Sequence, residues 1–342
     1  MKRQLLIIFA MLLTATVPAL AISNNTVEIV YNGSTATVTI ASNIQNYVTV
    51  SSGTSSHVVL TQADTFAGVD PTTANTDGEI TYSLSGTSSD GSFTLNGSYK
   101  CVVALNDLTL HNTAGPALIL LNGKRVEVSA KNGTTNTLSD AVLYDTDGTT
   151  LLYNGCIHCK GHLKLKGKGT LNVTGNAAHA IYSKEYCEVK NCTVNVTKAV
   201  KDGLHCKEYF LMESGTLNIA NTGDDALQVE YANDVITAET TDHEDENTGN
   251  FYQTAGTLTF QSFGGYAIKA DGTIRYDGGS RNFDSSKTLV SAGIDGLKAS
   301  TVENGETVVY DLRGRVVPAT QSLTKGIYIA KNGTKATKKY VK

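Results

Sequence analysis

The sequence predicts an all-β protein built as a parallel β-helix, a solenoid of short strands with about 23 residues per coil. Three observations lead there. The phrases GTLNV (from Gly169), CTVNV (from Cys192), GTLNI (from Gly215) and GTLTF (from Gly256) place Thr170, Thr193, Thr216 and Thr257 at steps of 23, 23 and 41. A second series, Ile157, Ile181, Leu204, Leu227 and Ile268, keeps the same spacing, with 24 for its first step. The composition is rich in Thr, Val, Ile, Tyr, Gly and Asn, has 4 prolines and no tryptophan, and alternates apolar with polar without a helical pattern. Leucine-rich repeats have similar periods, but their L-x-x-L-x-L frame is missing.

Residues 1–21 are expected to be a signal peptide. Lys2 and Arg3 precede an apolar run from Leu5 to Leu13, and Ala19-Leu20-Ala21 supplies a cleavage site. The run is too short to span a bilayer and no lipid-accepting cysteine follows it, so the expectation is a secreted or cell-surface chain without membrane insertion.

Residues 22–300 form the predicted solenoid domain. They carry 18 basic and 29 acidic side chains, a net charge of −11. That balance argues against a nucleic-acid partner and permits hard cations such as calcium. Cys156 and Cys159 form a C-x-x-C, but no second pair follows at metal-site spacing, which favours small buried thiols. Coil register puts Cys159 and Cys206 in one column, two coils or about 9.6 Å apart, too far for a disulfide. Pairing among Cys101, Cys156, Cys187 and Cys192 stays open.

Stacking turns each aligned position into a ladder. Leu171, Val194, Leu217 and Leu258 point inward, as do Val173, Val196, Ile219 and Phe260; Asn172, Asn195 and Asn218 alternate outward. Cys156, Ala180, Gly203 and Ala226 form a column of small residues suited to a tight turn. Asp202 and Asp225 share another column, with Asp224 beside them. Like charges stacked between strands repel, and a calcium ion held by carboxylates would offset this. Solvation or Asx caps are the alternative. The step of 41 is one coil plus an 18-residue acidic insertion, within which Asp242, Glu244, Asp245 and Glu246 add candidate oxygen ligands. Lys160, Lys184 and Lys207 make a cationic ladder with Glu185 and Glu208 alongside, and Tyr182, Tyr186 and Tyr209 lie nearby. These are either surface ion pairs of small value or a strip that meets an acidic polysaccharide, with tyrosines stacking on sugar rings.

The ordered phrases EITYSLSGTSSDGSFTLNGSYK (79–100), LNDLTLHNTAGPALILLNGKRVEV (105–128), NTLSD (136–140), KGKGTLNVTGNAAHAIYSKEY (166–186), KDGLHCKEYF (201–210) and GDDALQVE (223–230) resemble exported carbohydrate-binding β-helix proteins related to a polygalacturonate-binding family. The resemblance implies a right-handed parallel β-helix of pectate-lyase shape, calcium, and an acidic polysaccharide such as pectin as partner. Residues 301–342, with 8 basic and 3 acidic side chains, end in VVYDLRGRVVPATQSLTKGIYIAKNGTKATKKYVK (308–342), which resembles a type IX sorting tail. That implies a small C-terminal β-module addressed to the outer-surface secretion machinery; a β-cap on the solenoid is the other reading.

The functional expectation is a secreted, non-catalytic, calcium-associated binder of polygalacturonate-type glycan. A calcium-dependent lyase is the first alternative. Lyases of this shape use an arginine base, and no arginine lies between Arg125 and Arg275, which leaves Lys201 and Lys207 as substitutes. A hydrolase using Asp202, Asp224 and Asp225 and a structural or adhesive surface protein are the remaining alternatives.

Overall fold

The computed structural model describes residues 22–52, 55–63, 79–232, 248–291, 308–311, 316–317, 326–332 and 335–341. The proposed signal peptide and the insertion ligands Asp242, Glu244, Asp245 and Glu246 lie outside the described residues.

One coil shows the plan. His179–Ser183 lies on a front face, Cys187–Lys190 on a second face and Thr193–Ala199 on a third, and Leu204–Lys207 then returns to the front one level up. The front face is a ten-stranded sheet whose order follows the sequence from Val48–Ser52 to Thr288–Val290. All its pairings are parallel except the first, where Val48–Ser52 runs antiparallel to His57–Gln62. The other two faces belong to one sheet of 16 strands joined through Cys101–His111. The first half of that strand pairs with Val126–Ala130 on the second face, and its end pairs with Thr135–Ser139 on the third. The bend falls at Asp107, whose φ is 52°, a conformation that aspartate tolerates better than most residues.

The register matches the spacing. Thr170, Thr193, Thr216 and Thr257 pair in succession, and so do Ile157, Ile181, Leu204, Leu227 and Ile268. The apolar columns fill the interior, where Leu171, Val194, Leu217 and Leu258 join one cluster with Phe210 stacked on Phe251 at 5.2 Å. The structure adds coils before residue 155 whose front strands follow one another at 35 (His57 to Ser92), 25 (Phe93 to Leu118) and 39 residues (Leu118 to Ile157). Their loops differ in length while their strands stack, so no constant period marks them. All six cysteines are buried and free, Cys159 and Cys206 among them.

On the third face the asparagine ladder is closed. Asn195 Nδ2 donates to Asn172 Oδ1 and Asn218 Nδ2 to Asn195 Oδ1, each at 2.8 Å. Asn195→Ala removes both bonds and strands one group on each neighbour. An expected loss of about 1–2 kcal/mol should lower the urea midpoint without changing the slope. An unchanged midpoint would mean that water replaces the ladder at no cost.

The described residues of the C-terminal region form a separate four-stranded antiparallel sheet: Val308–Asp311, Val316–Val317, Gly326–Asn332 and Lys335–Val341.

Candidate functional site

Alternation along the front strands turns every second side chain outward. Pairing aligns His158, Tyr182, His205, Gln228 and Lys269 in one outward column. Two residues further along each strand stand Lys160, Lys184, Lys207 and Glu230; Lys160 and Lys184 are exposed, and Lys207 pairs in register with Glu230. On the opposite flank, where the third face turns into the front, lies the acidic corner of Asp202, Asp224 and Asp225.

The acidic corner is built by the coil step itself. Asp225 N donates to Asp202 Oδ1 at 3.0 Å, and Tyr266 N donates to Asp225 Oδ1 at 2.7 Å, so each carboxylate caps the turn above it. Asp202 is 2% exposed and Asp225 1%, while Asp224 is exposed. Carboxylate oxygens of all three lie within 4.8 Å of one another. Asp225 Oδ2 is buried without a hydrogen bond, and its countercharge is Lys269 Nζ at 3.3 Å. Gly265 closes the corner, since a Cβ there would meet Asp224 Oδ1 at 2.8 Å and also run into Asp225 Oδ1. Burial pushes the Asp225 carboxyl up; the Tyr266 amide and Lys269 work against this, and the charges of Asp202 and Asp224 add to it.

Protein groups offset part of the Asp202–Asp225 repulsion, and both carboxylates cap turns, as the alternative to a cation has it. His205 Nδ1 stands 2.9 Å from Asp202 Oδ2 and His179 Nδ1 stands 3.2 Å from the same oxygen. Burial alone would raise the Asp202 carboxyl, but hydrogen bonds and charge from His179 and His205 outweigh it and hold the group far below the carboxylate range. Burial pulls His205 down, yet hydrogen bonds to Asp202 and to Glu230, 3.4 Å from Nε2, leave it above the usual histidine value. His179 stays below that value, chiefly through burial.

The aromatic rings differ from the expectation. Tyr182 stacks between His158 (5.2 Å, 15°) and His205 (5.5 Å, 27°), so its faces are covered along the solenoid axis and its edge looks outward. Tyr153 closes the row edge-on against His158 at 5.0 Å. Tyr186 and Tyr209 do not join this column. At the corner between the front and second faces Tyr186 stacks on His162 at 4.1 Å, and Tyr209 stacks on Tyr186 at 4.8 Å. Tyr186 is 2% exposed and has no face for a sugar ring; Tyr209 donates to Glu188 Oε1 at 2.9 Å. The reason is geometric: residues that repeat one per coil stack on each other, which uses up their π-faces. The front surface therefore offers polar ring edges, amides and ammonium groups, which recognise hydroxyls and carboxylates by hydrogen bonding.

His158, His179, His205, Glu230 and Lys269 were not singled out from the sequence. His158, His205 and Lys269 stand one place after the Ile–Leu column, so the same register could have found them. His179 belongs to the turn and carried no such signal.

A family model described as carbohydrate-binding domain-containing protein matches residues 70–334. The chain belongs to this family. Another carbohydrate-binding domain-containing protein, from Acetivibrio thermocellus, is 27% identical over 103 residues, 29% of this chain and 36% of that protein. The match thus spans about a third of the relative's length. Among solved structures, one titled the polysaccharide lyase-like protein from C. thermocellum, gadolinium derivative, superposes with a TM-score of 0.54 at 19% identity, over 77% of this chain and 98% of the other. At that identity the likeness shows the fold: this carbohydrate-binding domain is a parallel β-helix.

Proposed function

We propose that the chain is an exported, non-catalytic binder of acidic polysaccharide of the polygalacturonate type, held in part through calcium. One observation carries this reading. A corner of three carboxylates, in which the buried Asp225 Oδ2 has Lys269 as its countercharge, flanks the front face that carries the lysine ladder. The body's net charge of −11 repels a polyanion, so contact needs local positive charge. Lys160, Lys184 and Lys207 supply some, and a hard cation at the corner supplies more.

The donor set fits calcium, since the three groups that converge here offer carboxylate oxygens. Asp202, Asp224 and Asp225 would hold it, and the bound ion would supply charge for a uronate carboxylate. Lysine side chains would pair with further carboxylates, and the outward edges of Tyr182 and His158 would meet hydroxyls. The front strands contain no arginine among the described residues, so the base used by lyases of this shape is missing from the face. Export rests on the expected signal peptide and on the sorting-like tail, whose described strands form the small β-module.

The test is a titration of the purified chain with polygalacturonate, with calcium or with chelator, while absorbance of unsaturated uronate products is followed. Binding that needs calcium, without a rise in absorbance, supports the proposal. A steady rise would instead make the chain a lyase, with Lys201 and Lys207 the bases to replace. Silence in both channels would favour a structural or adhesive role. Asp224 is exposed, so Asp224→Asn should leave the fold intact and weaken calcium binding at least about tenfold. Unchanged calcium affinity in that variant would remove the ion from this corner.

A further inference from the structure

Beside the carboxylate corner, and independent of the carbohydrate reading, a different donor set converges. A ring nitrogen of His179, a ring nitrogen of His205 and a carboxylate oxygen of Asp202 lie within 4.8 Å of one another, and all three side chains are more than nine-tenths buried. The rings come from consecutive coils and lie 4.6 Å apart. Asp202 N points its hydrogen at His179 Nδ1 at 3.2 Å. Accepting that bond uses the Nδ1 lone pair and puts the ring proton on Nε2, whereas donating to the Asp202 carboxylate leaves the amide unanswered. The same Nδ1 stands 3.2 Å from Asp202 Oδ2, so one nitrogen faces a donor and an acceptor and can answer only one of them. A cation between Nδ1 and Oδ2 resolves the contact.

We propose that His179, His205 and Asp202 form a binding site for a borderline divalent ion such as zinc, adjoining the calcium corner and sharing Asp202 with it. Two imidazoles and one carboxylate select such ions, whereas calcium prefers oxygen alone. The two separations from Asp202 fit such an ion. Ligands about 2.0–2.1 Å from zinc stand about 2.9 Å apart at a right angle and about 3.4 Å apart at the tetrahedral angle. The observed separations from Asp202 Oδ2 are 2.9 Å to His205 and 3.2 Å to His179. Asp202 Oδ1 keeps its bond from the Asp225 amide and so fixes the carboxylate. In turn Glu230, 3.4 Å from His205 Nε2, holds that ring by its other nitrogen, the usual outer support of a metal-bound imidazole. Coordination displaces the proton that His205 otherwise shares with Asp202. The Asp202 amide then gives up its weak 3.2 Å contact with His179.

The test uses the whole chain stripped with chelator. Zinc is titrated calorimetrically, and cobalt(II) is followed by its visible absorption, which is strong in four- or five-coordinate sites. One equivalent of zinc and intense cobalt bands are expected, both surviving an excess of calcium. His179→Gln and His205→Gln should each weaken zinc at least about tenfold. His57→Gln, a half-exposed histidine paired with Asp90 elsewhere, should change nothing. Should either glutamine variant fail to fold, judged by circular dichroism without metal, Asp202→Asn serves instead, because it keeps the acceptor for the Asp225 amide. The proposal is overturned if zinc binds no more tightly to the parent than to these variants, or if calcium abolishes the cobalt bands.

Discussion

Asp202→Ala is expected to destabilise the solenoid by about 3–5 kcal/mol, as removal of one partner from a buried charge pair does. The carboxylate answers three groups at once: the Asp225 amide at 3.0 Å, His205 at 2.9 Å and His179 at 3.2 Å. Alanine leaves the amide without an acceptor and His205 with Glu230 alone. Asp202→Asn should cost less, since it preserves the amide's acceptor. Acidity gives the effect a signature. The Asp202 carboxyl is lower in the folded chain than in the unfolded one, near 3.9. Its contribution is therefore complete above about pH 4 and is lost as pH falls through the folded value. His205 is raised when folded, so its share is complete below about pH 6.5 and fades as pH rises through its folded value. Urea denaturation in chelator at pH 3, 5.5 and 9 should show the widest gap between parent and Asp202→Ala at 5.5. A gap that is the same at all three would refute the ion-pair account and leave only a packing defect.

Gly167→Ala is expected to cost about 3–5 kcal/mol although it adds one methyl group. Gly167 ends a second-face strand with φ at 107°, where an L-residue is strained. A Cβ there would run into the carbonyl of Ala130, its register partner in the preceding coil. That carbonyl cannot move freely, because it accepts from Lys168 N and Gly169 N, each at 3.1 Å. Displacing it breaks both bonds as well. By contrast Asn191, the next coil's residue at this corner, already holds φ at 64° with a side chain, so Asn191→Gly should be mild. Thermal unfolding of the two variants side by side decides the matter. Equal melting temperatures would show that the corner relaxes.

The carboxylate corner and the histidine pair share Asp202, which couples the two proposals without making one depend on the other. Asp224 serves only the first and His179 only the second, so single substitutions separate them. A chain that binds glycan without zinc, or zinc without glycan, would be recognised as such.

Much of this was determined by the sequence itself. The 23-residue step specifies which residues stack, because in a solenoid neighbours are set by spacing along one dimension. From Ile157 to Ile268 that alone placed the core columns, the asparagine ladder, the lysine ladder and the Asp202–Asp225 pair. Tertiary structure decided what spacing does not encode. The early coils, with steps of 35, 25 and 39, stack as well as the regular ones because loop length is free while strand pairing is not. Tyr182, Tyr186 and Tyr209 read as one group in sequence, yet a corner separates the first from the other two, since the angle through which the chain turns there depends on backbone dihedrals. His179 meets Asp202, 23 residues on and one coil up, only because the turn aims both side chains at the same point. The period specifies height along the solenoid, and packing at the corners specifies direction.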